Sequence, residues 1–319
     1  MKPKLTIPQQ INHMKAKQGI LFNLCSEQDA TTYLEKYNYY YRVKSYAKNY
    51  DQYSQGTRQG KYIGLDFAYL QEMSTIDYEM RKILLQICID IEHFLKVKLV
   101  KDIADNPEED GYGIVTAFLK KYPTIRDKFS TQLSSGYCND IIQKCEQEFS
   151  IWVLVELLSY GDFSRLFALY YDKYPEPNTI YLKNLIWSSR MIRNATAHNN
   201  CLLNSLRTSY NRSMDGQKYS NKINEQINTF IAQNIPSISR GTRKTRLQNI
   251  FINDFVATLH LFNLVVTSPY VRQHRFEELN TFISERCIKN KVYFEKNLSL
   301  VSSYEFIKKI VDFYCQARV

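Results

Sequence analysis

The sequence predicts an all-α protein: a helical bundle with an N-terminal helical extension and additional C-terminal helices. Two observations carry this. Glycine and proline are scarce, 10 and 8 in 319 residues, and few long β-branched runs offer a strand. Between residues 65 and 103, apolar side chains recur at spacings of three and four: Phe67, Leu70, Met73, Ile76, Met80, Ile83, Leu84, Ile87, Ile91, Leu95 and Leu99. That period puts them on one buried stripe of one long helix. With 44% of residues hydrophobic, a sizeable core can form.

The elements run in order along the chain. Residues 5–20 read as a short amphipathic helix (Leu5, Ile7, Ile11, Met14) closed by Gly19. Ser26 is an N-cap, with Glu27 and Asp29 in the first turn of a helix through Lys36. A tyrosine-rich box comes next, in which Tyr39, Tyr40, Tyr41, Tyr46, Tyr50 and Tyr53 interleave with Arg42, Lys44 and Lys48. Interleaved rings and cations can stack bases and hold phosphates. The plainer alternative packs the rings inward and turns the cations to water. A polar loop at 54–64 marks a boundary, giving an N-terminal helical region (1–60) and a helical domain (61–319).

The long helix breaks at the acidic turn 106–111. Shorter helices fill 114–149, punctuated by Pro123 and Gly136. A helix over 151–158 carries Trp152, Val155 and Leu158 on one face, with Glu156 nearby. A buried acid there needs a partner, and Arg190 or Arg193 is the candidate. Pro175 and Pro177 end the next helix, and Asn178 or Thr179 starts another. After Leu206 the chain turns polar, with basic loops within 207–246 that include Arg207, Arg212, Arg240, Arg243, Lys244 and Arg246. Apolar helix returns at Leu247 and runs towards Pro269, and two further helices cover 272–289 and 303–315.

Charge is uneven. The net is +10, yet residues 181–250 carry eleven Lys/Arg against two acids, while residues 101–150 carry six against nine. Such asymmetry points to a polyanionic partner, and the basic stretches are expected to contact RNA. Seven cysteines with no Cys-x-x-Cys pair, no signal peptide and no membrane-length apolar run suggest reduced thiols in the cytoplasm and no membrane partner. There is no glycine-rich phosphate loop, no His-x-x-x-His pair and no carboxylate cluster, so neither a metal nor another cofactor is expected. His93, His260 and His274 read as structural or surface residues.

The chemistry concentrates at 190–200, Arg-Met-Ile-Arg-Asn-Ala-Thr-Ala-His-Asn-Asn. Arginine holds a phosphate at any physiological pH through a planar fork, and histidine moves a proton near neutrality. Arg193, Asn194 and His198 could cleave a phosphodiester without a metal. On an ideal helix Arg193 and His198 point about 140° apart. Either the helix is distorted here, or two copies of the chain face each other.

Four segments resemble the Abi family of abortive-infection proteins (AbiD/AbiF type). They are Asn38-Tyr39-Tyr40-Tyr41-Arg42-Val43-Lys44-Ser45-Tyr46, Asp77 to Arg81 with Ile91-Glu92-His93-Phe94-Leu95-Lys96, Trp152 to Glu156 with Tyr160-Gly161-Asp162-Phe163-Ser164, and the Arg-Asn-x-x-x-His stretch. They occur in the family's order and span about residues 5–210. Lys96 stands where the family often has arginine, and Tyr39 lengthens the aromatic box. The resemblance implies a HEPN-like bundle and metal-independent cleavage of RNA. In it Arg193, Asn194 and His198 are catalytic, Glu156 and Arg190 support them, and the site is composite in a homodimer. It equally allows a non-catalytic module that holds a small noncoding RNA, or an assembly protein in phage defence whose tyrosine-rich helices are an interface.

Overall fold

The computed structural model of the chain describes residues 4–132, 139–145, 148–207, 212–214, 217–219 and 223–316. It is helical throughout, apart from isolated bridges and one small antiparallel ladder. Helix α1 (Ile7–Asn12) runs into a π-helical turn, and Gly19 closes it at φ +68°. Helix α2 (Glu27–Lys36) starts where the sequence places it, the Ser26 hydroxyl accepting the Asp29 backbone N–H at 3.1 Å. Helix α3 (Tyr40–Ser45) carries the first half of the tyrosine box and tightens into a 3-10 turn through Asn49.

The long periodic stretch is one helix, α4 (Phe67–Asp105). Helices α5 (Gly113–Lys121), α6 (Pro123–Gln132), α7 (Asn139–Lys144), α8 (Ile151–Leu157), α9 (Tyr160–Lys173) and α10 (Thr179–Ala197) come after it. Pro123 does not merely punctuate this region. It opens α6, where its missing N–H has no helical partner to lose. Gly136 lies outside the described residues. Strands β1 (Arg212–Met214) and β2 (Gln217–Tyr219) pair with Arg212 opposite Tyr219.

The expectation of basic loops across 207–246 is corrected over its second half. Helix α11 (Glu225–Asn234) is capped by the Asn224 side chain. Helix α12 (Arg240–Leu247) is capped by Ser239, whose hydroxyl accepts the Thr242 N–H at 3.2 Å. Ser239, one of the serines and threonines that make 237–246 look loop-like, acts as a cap. Helices α13 (Ile250–Val265), α14 (Pro269–Thr281) and α15 (Leu298–Gln316) complete the chain. Among the described residues no helix is long and apolar enough to cross a membrane.

The chain forms two compact units. The first comprises Met1–Gln86, Ile192–Val256 and Tyr270–Val319. Residues 1–60 lie wholly within it. Its core holds the fully buried Tyr46, Phe67, Phe255 and Phe306, each such side chain contributing roughly 1.5–3 kcal/mol by leaving water. Phe67 stacks on Phe22 at 5.5 Å between centroids, and Phe276 stacks on Tyr314 at 5.0 Å. Arg286 bonds Glu72 at 2.5 Å and Glu79 at 2.9 Å.

The second unit comprises Ile87–Met191 and Ala257–Pro269. Phe118, Phe163, Phe167 and Phe262 are fully buried in it. The Tyr170 hydroxyl donates to the Asp102 carbonyl at 3.0 Å, and Lys98 bridges Asp102 and Glu176 at 2.6 and 3.1 Å. His260 is buried, with Nε2 at 2.6 Å from the Tyr181 hydroxyl. Burial lowers its pKa to about 4, so it is neutral and structural at physiological pH.

Candidate functional site

Helix α10 ends at the Arg-Asn-x-x-x-His stretch, and its last turn is well defined. The His198 N–H still bonds the Asn194 carbonyl at 2.9 Å. Asn199 then turns left-handed at φ +57°. Its N–H reaches the Thr196 carbonyl at 3.0 Å, and the Asn200 N–H reaches the Ala195 carbonyl at 2.8 Å. This double bond pattern is a Schellman stop, with asparagine taking the place more often held by glycine. His198 is therefore the helix's C-cap.

Arg193 and Asn194 are half-buried, and His198 is exposed. Among the described residues, none of the three side chains has a hydrogen bond or ion pair. The helix stays α-helical from Thr179 to Ala197, with no bulge to bring position 193 round to 198. The geometric separation of about 140° therefore stands. A single copy of α10 points its guanidinium and its imidazole in different directions.

The backbone just beyond His198 is held by a buried polar cluster in the first unit. Asp77, wholly buried on α4, accepts the N–H groups of Leu202 and Leu203, each at 2.8 Å. Its other oxygen accepts the Tyr46 hydroxyl at 2.9 Å and bonds Arg81, with Arg42 at 3.8 Å. Arg42 reaches past Asp77: its Nη1 donates to the Asn199 carbonyl at 2.6 Å and its Nη2 to the Asn199 Oδ1 at 3.3 Å. Asn49 continues the clamp, giving its amide to the Leu203 carbonyl at 2.9 Å and accepting the Leu206 N–H at 2.6 Å. Burial, and the nearby Arg42 charge, push the Arg81 pKa down. Burial, then the Cys201 thiol, pushes the Tyr46 phenol up. Two guanidiniums around one carboxylate are tolerable in the interior only because backbone groups fill the remaining bonds.

The sequence marks Asp77 and Arg81 through the family resemblance and through their spacing. Asp77 and Arg81 are four apart on an otherwise apolar stripe, which signals a buried pair. That their partner is the exit from α10 needed the fold.

The predicted RNA-binding cations divide sharply. Arg42 is corrected: at 6% exposure its guanidinium is inside and committed to the chain. Lys44 is half-buried over the Tyr62 ring, 5.6 Å from its centroid. Arg207 pairs with Asp51 at 2.6 Å. Arg243 bonds the Asn228 side chain at 2.7 Å, and Arg246 bonds the Ser303 hydroxyl at 2.9 Å. Arg246 is lowered in pKa by burial, and its Nε has no partner. Arg240 and Lys244, one turn apart on α12, are exposed. The side chain of Arg212 lies outside the described residues.

The tyrosine box divides between the two expectations. Its arginine faces in, while Tyr37, Tyr39 and Tyr41 face out at 76%, 58% and 80% exposure. Tyr46 and Tyr50 are buried. Tyr37 packs against Tyr33 at 6.2 Å between centroids, and Tyr39 and Tyr41 lie beside the arginine that grips Asn199.

In the second unit, Glu156 and Trp152 depart from expectation. The buried face of α8 is Ile151, Leu154, Val155 and Leu157. Positions 152 and 156, four apart, share the opposite face, so Trp152 is 47% exposed and Glu156 is exposed. Glu156 forms no ion pair with Arg190 or Arg193 among the described residues. Arg190 instead lies over the Trp187 ring, 4.2 Å from its centroid. That cation–π contact joins two side chains one turn apart on α10.

A family model described as "Abi-like protein" matches residues 32–204. The match takes in the tyrosine box, the Asp77 cluster and the whole of α10. No curated protein and no solved structure matches the chain.

Proposed function

The chain belongs to the Abi-like protein family, and from that membership we propose that it is a metal-independent endoribonuclease acting in abortive-infection defence in the cytoplasm. The observation that supports this most directly is one of commitment. Arg42 and Arg81 near the end of α10 are consumed by Asp77 and Asn199, whereas Arg193, Asn194 and His198 have no side-chain partner among the described residues. The half-buried guanidinium and the exposed imidazole on this helix end are therefore open to phosphate binding and to proton transfer.

In the proposed reaction the ribose 2′-OH attacks the adjacent phosphorus. The P–O5′ bond breaks, leaving a 2′,3′-cyclic phosphate and a 5′-OH. One His198 takes the 2′-OH proton or supplies the proton to the leaving oxygen. Arg193 stabilises the negative charge on the pentacovalent phosphorus, and Asn194 holds a phosphate oxygen. Since α10 is unbroken, the two groups meet at one phosphate when Arg193 of one copy faces His198 of another, so the active form is a homodimer.

The test is incubation of the purified protein with single-stranded RNA and DNA in EDTA. Cyclic-phosphate RNA products with DNA left intact are expected, and His198→Ala should yield none. Loss of cleavage in EDTA, or undiminished cleavage by His198→Ala, would overturn the reading.

A second reading is a non-catalytic module that holds a small noncoding RNA. The exposed rings of Tyr39 and Tyr41 favour it, because base stacking needs no catalytic histidine. Salt-sensitive RNA binding that is lost in Tyr39→Ala/Tyr41→Ala, with no products from wild type, would select it.

A further inference from the structure

Within the first unit lies a cavity of about 270 Å³ that the proposed chemistry does not use. One wall is the face of α4 formed by Met73, Ile76 and Met80, and Leu203 and Leu206 supply another. Cys287 contributes a thiol, which burial pushes up to about 12, as an interior of low polarity requires. The charged lining residues are Lys291, Glu295 and Glu305, all exposed. None of them is in an ion pair among the described residues, so two carboxylates stand there against one ammonium.

We infer that this cavity is a binding site for a small aromatic amine, and that its occupancy stiffens the chain just beyond His198. Size sets the apolar part. A dry cavity of roughly 150 Å³ accepts benzene, so this larger one suits a fused pair of rings. Charge sets the polar part, because the excess of carboxylate favours a cation and disfavours an acid. The link to the helix end is covalent and short. Leu203 and Leu206 are the residues whose N–H groups are held by Asp77 and by Asn49, so a ligand against them packs on the clamp from the other side. Binding and amide exchange report on this site whether or not the protein cuts RNA.

The experiment uses the full chain and three probes of equal ring size: tryptamine, indole and indole-3-acetate. Tryptamine should bind saturably, with indole about tenfold weaker and indole-3-acetate weaker again. Glu295→Gln/Glu305→Gln should bring tryptamine down to the level of indole. Val301→Phe and, separately, Ile288→Phe, at two lining positions, should each abolish binding while the far-ultraviolet circular dichroism is kept. Tryptamine should slow amide exchange at Leu203 and Leu206 by at least threefold and leave α9 unchanged. The inference is overturned if no probe saturates, if the acid binds best, if binding survives both filling variants, or if exchange at Leu203 and Leu206 does not change. It is also overturned if Val301→Phe dissolves a concentration-dependent dimer, because the occupant would then be protein.

Discussion

Arg42 donates from Nη1 to the backbone carbonyl of Asn199 at 2.6 Å, across 157 positions of sequence. A residue that the interleaved rings and cations suggest for RNA thereby becomes a tie on the residue where α10 stops. Arg42→Lys keeps the charge but loses the two-pronged grip. We expect it to cost about 1–3 kcal/mol of stability, read by urea unfolding, and to leave the RNA affinity of the folded protein unchanged.

Asp77 is the more severe position. Replacing its carboxylate by an amide leaves Arg81 and Arg42 buried without their anion. Asp77→Asn should destabilise the first unit by about 3–5 kcal/mol. Amide exchange at Leu202 and Leu203 should accelerate more than elsewhere. Uniform acceleration would mean that the cluster is not a local clamp.

Arg193→Ala and His198→Ala should both fold normally, with stability within about 0.5 kcal/mol of wild type, because neither side chain is engaged among the described residues. Each alone should fail to cut RNA. Mixed and allowed to exchange subunits, they should recover about a quarter of wild-type cleavage, since half the dimers carry one intact composite site of two. No recovery would refute the shared site.

Helix α12 allows a comparison between adjacent cations. Lys244→Gln and Arg240→Gln should weaken RNA binding and flatten its salt dependence by about one unit of log–log slope per lost contact, with no change in stability. Arg246→Gln, which removes the bond to Ser303, should lower stability by about 1–3 kcal/mol without altering the salt slope. Titrations at several salt concentrations, beside urea curves, separate the two.

His260 makes the second unit sensitive to acid. Its folded pKa is depressed to about 4, below the value of about 6.5 in an unfolded chain. The unfolded state therefore binds the proton first. Stability is full above about pH 6.5 and is lost as pH falls through 4, by up to about 3 kcal/mol. The difference in unfolding free energy between wild type and His260→Gln, measured from pH 7 to 4, should shrink across that window.

Helix positions were legible because they obey local rules. The Ser26 cap, the stripe of α4 and the start of α10 at Thr179 all reflect period and capping. The basic stretch at 237–246 misled because serine, threonine and glycine serve loops and helix caps alike, and only packing shows which. Glu156 misled because a single apolar helix has two faces, and the choice between them depends on neighbours distant in sequence. The motif residues could be named in advance, but their freedom could not. Arg42 is committed through Asp77 and through Asn199, the latter 157 positions away, and only the fold brings them together.

The left-handed backbone at Asn199 has a consequence for drift in this region. The helix fixes how far the imidazole stands from the guanidinium, and the stop at Asn199 leaves that imidazole as the last side chain on the helical path. Of the side chains between the two, only Ala195 and Ala197 carry neither a proposed role nor a side-chain hydrogen bond, since Thr196 is buried on the Arg193 carbonyl. Adding or losing a single residue there would swing one group about 100° around the axis relative to the other, so length, as well as chemical identity, is under constraint.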